Sequence, residues 1–156
     1  TPTNTPTATS TTPPTSGGTA ASCLDPEEAT FLRLLNEYRV SNGLQPVTVS
    51  KKLNIAAHKH SYDMATNNFF SHTGSDGSNA GQRISREGYT GNSAWAENIA
   101  KGYRTGTAVF EGWKGSAGHR ANMLNPNYTQ IGIGFVQVSG GSAYWTTNFA
   151  NGNDSA

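Results

Sequence analysis

The sequence contains one cysteine and almost no net charge. Its 156 residues include 11 Lys and Arg against 10 Asp and Glu, a net charge of +1. Since neither sign is in excess, no long-range attraction to nucleic acid or to an anionic membrane is expected. Cys23 has no second cysteine with which to form an intrachain disulfide, so the fold must be stabilised by burial.

Long apolar runs are absent as well. No stretch approaches the roughly 18 residues that a membrane-spanning helix needs, so we expect no transmembrane segment. No charged segment followed by an apolar one opens the chain, so an export signal, if the protein had one, has been removed. The P-loop, HExxH, GxSxG and CxxC patterns are also missing, and with them the usual signatures of several enzyme classes.

The N-terminal segment differs in composition from the rest. Residues 1–22 include nine Thr and four Pro, and every charged residue lies beyond Cys23. Such a composition cannot form a core and is typical of extended linkers or glycosylated stalks. We predict a Thr/Pro-rich tether over residues 1–23 that connects the protein to a cell surface or a neighbouring module. A folded domain over residues 24–151 and a tail over residues 152–156 follow.

Local signals place helices before a terminal hairpin. Asp25 and Pro26 provide a helix cap and first turn, and Ser50 caps a second helix. β-rich runs joined by Ser-Gly-Gly-Ser predict a hairpin near the C-terminus. This order favours an α+β layered domain. The predicted helices span about 26–42, 51–67, 80–87 and 107–113, and the predicted strands 95–99, 131–138 and 143–150.

The four histidines lie in different contexts. His60 lies on the apolar stripe of the second helix, which favours a core histidine with one hydrogen bond, and His58 falls off that stripe and should be exposed. His72 and His119 lie in segments rich in small and glycine residues, where functional side chains are usually presented. The last two are therefore the candidates for chemistry.

Glu97 is the acidic candidate. In an extended strand, Trp95, Glu97 and Ile99 share one face, and a buried acid there needs a histidine, arginine or metal as partner. Alternatively, Glu97 reaches solvent from an edge strand, or forms a structural pair with Arg83 or Arg120. Two imidazoles and a carboxylate suit both an open zinc site and acid/base catalysis. Periodicity does not show that the three groups converge.

Several motifs follow one another in a recognisable order. They are Phe69-Phe70-Ser71-His72, Ala96-Glu97-Asn98-Ile99-Ala100, Gly112-Trp113, Gly118-His119-Arg120-Ala121-Asn122-Met123-Leu124, Ile131-Gly132-Ile133-Gly134 and Tyr144-Trp145. With them, residues 28–150 resemble the CAP superfamily, which comprises cysteine-rich secretory, antigen 5 and pathogenesis-related 1 proteins. The absence of cysteine from the domain is similar to the bacterial SCP-like extracellular branch.

The resemblance implies a three-layer α-β-α sandwich with a central antiparallel sheet and a cleft that holds two histidines and two acids. His72, Glu97 and His119 match three of those four positions. Ser116 stands where the family usually has its second acid, so the set is incomplete.

Four further residues are candidates for the lining of the same cleft: Asp76, Ser116, Arg120 and Asn122. Asp76 or Glu111 could replace the missing acid, and Asp76 ranks first because its loop also carries His72. Arg120 and Asn122 either line the cleft beside Ser116 or point to solvent.

The family includes secreted proteins that bind sterols, fatty acids or other ligands, some with a cleft-bound metal. The resemblance therefore implies a secreted or surface-attached, non-enzymatic module that binds a lipid or another small ligand. His72, Glu97 and His119 would bind Zn²⁺ or another divalent cation that folding does not require. One alternative is a hydrolase of peptide or peptidoglycan that uses these three residues as its catalytic groups. The other is a structural or adhesive surface protein with a vestigial cleft.

Overall fold

The computed structural model describes residues 24–154, so the predicted tether lies outside the described residues. Within that range, no helix is both long and apolar enough to cross a bilayer. The elements in chain order are α1 Pro26–Ser41, β1 Thr48–Val49, α2 Lys51–Asn67, α3 Ala80–Arg86, β2 Trp95–Lys101, α4 Gly106–Lys114, α5 Ala117–Met123, β3 Gln130–Gln137 and β4 Ala143–Ala150.

The four strands form one sheet in the order β1-β3-β4-β2. Helix α2 packs on one face with α3 beside it, and α1, α4 and α5 cover the other, which confirms the α-β-α sandwich. The central pairs are antiparallel, as predicted, and the sheet is mixed only at one edge. There β1 pairs parallel with β3, because the long connection between them lets the chain re-enter in the same direction. Strand β4 pairs antiparallel with both β2 and β3.

The helix starts follow the local signals. Asp25 accepts a hydrogen bond from the Glu28 amide at 2.8 Å, and the Glu28 carboxylate accepts one from the Asp25 amide at 3.2 Å. Ser50 caps α2 through the amide of Leu53 at 3.1 Å. The cap residue is also held from the C-terminal end, because its hydroxyl donates to Asp154 at 2.7 Å. The contacts of the domain thus continue into the segment predicted as a tail.

The main core lies between the sheet and the layer of α1, α4 and α5. It includes two of the three tryptophans, and Trp113 donates from Nε1 to the carbonyl of Ile99 at 3.2 Å. Burial of large aromatic groups is the dominant stabilising contribution. The buried members are Phe31, Leu35, Val47, Ala100, Val109, Phe110, Trp113, Met123, Tyr128, Ile131, Ile133, Trp145 and Phe149.

On the other face, α2 rests directly on the backbone of β3. A Cβ atom added to Gly132 would lie 2.1 Å from the backbone of Leu53, and one added to Gly134 would lie 2.4 Å from the backbone of Ala57. Ser61 donates from Oγ to the carbonyl of Gly134 at 2.8 Å, which fixes the position of the helix along the strand. The two glycines are therefore required for the approach of the layers.

A half-buried contact between a glutamate and a histidine also joins α1 to α2. The Glu28 carboxylate is buried, and its Oε1 accepts from the amide of Phe135 at 3.0 Å and from Nε2 of His58 at 2.8 Å. His58, expected to be exposed, keeps 40% of its side-chain surface accessible but is engaged in this pair. The hydrogen bond to Glu28 raises the pKa of His58 above its ordinary value.

This pair predicts a pH-dependent contribution to stability. Because the pKa of His58 is raised in the folded state, the contribution is complete below the unfolded value of about 6.5 and is lost as the pH rises through the folded value. The His58→Gln variant should unfold more easily at about pH 6 by about 1 kcal/mol, a value reduced for partial exposure. Urea unfolding of both proteins from about pH 6 to 9 tests this, and a difference that stays constant across the range would contradict it.

Candidate functional site

Glu97 lies on β2 and is 7% exposed. Its Oε1 accepts from Nδ1 of His72 at 2.9 Å, and its Oε2 accepts from Nη2 of Arg83 at 2.7 Å. The alternative in which this acid reaches solvent is therefore wrong. A buried carboxylate retains its charge when such donors compensate for lost hydration.

Arg83 connects Glu97 to the loop that follows α2. From α3, its Nη1 donates to the carbonyl of His72 at 3.0 Å and to that of Ser78 at 2.8 Å. One guanidinium thus fixes both the carboxylate and the backbone that carries His72. From the sequence, Arg83 was only a possible structural partner of Glu97, because no local sequence pattern shows that its side chain reaches β2.

His72 lies just beyond α2, which ends where Asn68 adopts a left-handed conformation with φ 54°. The side chain of His72 is 59% exposed. A carboxylate accepts but cannot donate, so Nδ1 of His72 carries the proton that bonds to Glu97. Among the described residues, Nε2 of His72 has no hydrogen-bond partner. The carboxylate therefore orients a ring whose second nitrogen is free.

His119 approaches from α5 and is oriented in a similar way. Its Nδ1 lies 2.9 Å from Oγ of Ser116, and its ring centroid lies 6.1 Å from that of Trp113. Burial lowers the pKa of His119, and the charge of His72 lowers it further. Ser116, at the position where an acid was expected, thus serves as a partner for the ring.

Two asparagines connect α5 to the strand that carries Glu97. Asn98 is fully buried and donates to the carbonyl of His119 at 3.2 Å, and Asn122 donates to Oδ1 of Asn98 at 2.8 Å. Asn98 was not predicted as a site residue, although it follows Glu97 directly in the motif Ala96-Glu97-Asn98-Ile99-Ala100. Arg120 is exposed and donates to the carbonyl of Lys114 at 3.1 Å.

The Asp76 carboxylate is engaged elsewhere. It pairs with Arg86 at 2.5 Å and accepts from the amide of Ser78 at 2.9 Å. Hydrogen bonds from Ser78 and Arg86 hold the pKa of the Asp76 carboxyl well below its usual range.

A cavity of about 280 Å³ opens beside His72, and Asp76 is not among its lining residues. The lining residues are His72, Thr73, Asn79, Ala80, Trp95 and Glu97.

The donor set restricts what metal site could form. Across residues 24–154, no three His, Cys, Asp or Glu side chains form a group that could hold a metal ion. Both oxygens of Glu97 already have partners, which does not suit a zinc site with three protein ligands. The Nε2 atoms of His72 and His119 make no hydrogen bond among the described residues. The expected metal at His72, Glu97 and His119 stays a prediction.

Known bacterial proteins share this architecture. The chain is 35% identical over 130 residues to YkwD of Bacillus subtilis. The alignment covers 83% of this chain and 49% of that protein. An extracellular protein of Bacillus anthracis that contains an SCP domain superposes with a TM-score of 0.70 at 31% identity, covering 81% of this chain and 44% of the other. An outer surface protein of Borrelia burgdorferi shares the fold alone, with a TM-score of 0.75 at 20% identity, covering 83% and 97%.

The chain spans about half the length of the two Bacillus proteins to which it is similar. The model of the cysteine-rich secretory protein family, CAP, matches residues 32–149, most of the described part of the chain. This match contains the strand with Glu97, the loop with His72 and the helix with His119. The chain therefore belongs to the CAP family of cysteine-rich secretory proteins.

Proposed function

We propose that this protein is an extracellular binding module without catalytic activity, in which His72 and His119 hold a divalent cation beside a small-ligand cavity. The observation that carries this proposal is the engagement of Glu97. Its carboxylate is buried, and each oxygen already accepts a hydrogen bond, so it acts as a positioning residue. The extracellular location is supported by the similarity to the extracellular Bacillus anthracis protein, which is 31% identical to this chain.

The carboxylate and the serine prepare the two rings for a cation. With the proton of His72 held on Nδ1 by Glu97, the lone pair lies on Nε2, as in carboxylate–histidine–metal arrangements. Ser116 can accept from Nδ1 of His119 in the same manner. A bound cation would supply a positive charge able to attract an anionic or carbonyl group of the ligand.

The cavity limits the size of that ligand. At about 280 Å³ it lies near the lower end of small-molecule sites, so it suits a small compound or one end of a lipid. Trp95 contributes an indole that is 42% exposed, an apolar surface against which a ligand can pack.

Calorimetric titration with Zn²⁺ at about pH 7.5 tests the cation site. We expect one site in the wild-type protein and at least tenfold weaker binding in His72→Ala and in His119→Ala. Ser116→Ala should weaken binding about tenfold, the usual effect of removing an orienting partner. His58→Ala is the matched control, because that histidine lies in a different ion pair and should leave the affinity unchanged. Equal heats for the wild type, His72→Ala and His119→Ala would remove the cation site.

A hydrolase remains the second candidate because of the same Glu97–His72 pair. A carboxylate that orients one imidazole nitrogen while the other is free is also the arrangement of a general base that activates water. Incubation with casein and with cell-wall fragments discriminates between the two functions. Turnover that disappears in both His72→Ala and Glu97→Gln would establish hydrolysis, and no turnover in the wild type would exclude it for these substrates.

A further inference from the structure

A second, larger cavity lies between α2, α3 and the loop of residues 75–78. Its volume is about 390 Å³, and it shares no lining residue with the cavity beside His72. This volume lies within the usual range of small-molecule sites and far exceeds the roughly 30 Å³ that one water molecule occupies in the liquid. The space therefore suits a molecule larger than a single water.

Three buried side chains that line this cavity each have a polar atom without a hydrogen-bond partner. They are Nδ1 of His60, Oγ of Ser78 and Nε of Arg83. The three residues are 1%, 2% and 8% exposed, so bulk solvent does not hydrate these groups fully. Since buried polar atoms in proteins are nearly always paired, these atoms point to an occupant of the cavity.

The unpaired atoms differ in hydrogen-bonding character, and since the hydroxyl of Ser78 can donate or accept, His60 and Arg83 restrict the ligand. Nε2 of His60 lies 2.8 Å from the carbonyl oxygen of Ser71, which can only accept, so Nε2 carries the proton. Burial lowers the pKa of His60 and keeps the ring neutral, which leaves Nδ1 as a bare acceptor. Nε of Arg83 can only donate. A complementary molecule must therefore offer a donor to His60 and an acceptor to Arg83.

The charges around the cavity cancel. Three acidic and three basic side chains line it, and the acids already have partners. Glu87 pairs with Lys59, Asp76 pairs with Arg86, and Asp63 accepts from the amide of Ser75 at 2.9 Å. The remaining cation, Arg83, pairs with Glu97. The net charge of the lining residues therefore favours neither an anionic nor a cationic ligand.

We infer that this cavity binds an uncharged molecule with an amide or hydroxyl group, which donates to Nδ1 of His60 and accepts from Nε of Arg83. A primary amide offers both functions on neighbouring atoms, and so do the hydroxyl groups of a sugar. The inference does not depend on the cation site, because His72 and His119 do not line this cavity.

The test is an NMR titration of the full chain in the presence of a chelator, which keeps the cation site empty. The probes are propionamide, glucose and N-acetylglucosamine, with propionate and propylammonium as charged analogues of the amide. We expect saturable shifts at the cavity residues and at Nδ1 of His60 with a neutral probe, and at least tenfold weaker binding of both charged analogues. Binding of propionamide alone identifies an amide ligand, and binding of the sugars alone identifies a carbohydrate.

Two variants localise the binding. Ala56→Leu places a larger side chain in the cavity and should weaken binding at least tenfold, whereas Ala108→Leu, on an exposed position of α4, should not change it. His60→Phe removes the acceptor and should abolish binding, with thermal unfolding as the check on its fold. A lack of saturable shifts with every neutral probe, tighter binding of a charged analogue, or a proton on Nδ1 of His60 would overturn the inference. Ala56 is 1% exposed, so thermal unfolding also checks the fold of Ala56→Leu, and if either variant does not fold, the neutral probes and their charged analogues on the wild-type protein decide the outcome.

Discussion

Gly134→Ala is expected to lower the free energy of unfolding by more than about 3 kcal/mol. The new Cβ atom would lie 2.4 Å from the carbonyl carbon of Ala57 and 2.4 Å from the amide nitrogen of His58. Both are backbone atoms in the middle of α2, so the clash can be relieved only by moving the whole helix away from the sheet. Urea unfolding followed by circular dichroism measures the loss.

The matched control is Gly118→Ala in α5. No heavy atom lies within 4 Å of the Cβ that this change adds, and its φ is not in the left-handed region. Alanine in a helix should therefore stabilise the protein by up to about 1 kcal/mol. Similar effects of the two substitutions would show that the contact between α2 and β3 is not what requires glycine.

Arg83→Met is expected to cost about 3–5 kcal/mol, because it leaves the Glu97 carboxylate buried without its cation. The same change removes the donors to the carbonyls of His72 and Ser78, so the loop that carries His72 should also lose its fixed position. A double-mutant cycle with Glu97→Gln isolates the pair. The double variant should be more stable than the sum of the single effects predicts, by about 1–3 kcal/mol.

Arg33→Ala provides the comparison for that cycle. Its ion pair with Glu37 is exposed, with 61% and 62% of the two side chains accessible. We expect a change of less than about 0.5 kcal/mol, because solvent screens the interaction. Strictly additive effects of Arg83→Met and Glu97→Gln would contradict the assignment of Arg83 as the residue that positions Glu97.

The elements with strong local signals were predicted almost to the residue. Helix α1 was expected over 26–42 and spans Pro26–Ser41, because Asp25 and Pro26 determine its first turn. The C-terminal hairpin was also predicted within one residue, since runs that contain β-branched and aromatic residues flank a Ser-Gly-Gly-Ser turn. Such signals act between neighbours in the chain and can be recognised without the tertiary structure.

The elements that were missed depend on distant contacts. Helix α5 has seven residues, and Ser116 at its N-terminus makes no capping hydrogen bond with its side chain. It is held instead by Asn98, which binds the carbonyl of His119 across a separation of 21 residues. Strand β1 has two residues and forms only by pairing with β3. No local pattern could have predicted either of them.

The residues of the site also divide into those that the sequence predicts and those whose roles depend on distant contacts. The motif resemblance identified His72, Glu97 and His119, and the first two form a hydrogen bond. The partner of Glu97 on α3 could not be chosen from the sequence, because a long arginine side chain can reach several elements. The choice of Asp76 from its proximity to His72 in the chain did not anticipate its pairing with Arg86.

Strand β2 lies at the outer edge of the sheet, so the proposed ligand site beside it is separate from the packing of α2 on β3. His72, Thr73 and Trp95 are exposed along that edge, whereas the contact between α2 and Gly134 lies on an inner strand. Mutations at the three edge residues therefore leave the interlayer packing intact. If the proposed ligand site is correct, related chains can acquire new ligand preferences during evolution by exchanging side chains along this margin while inheriting the same scaffold.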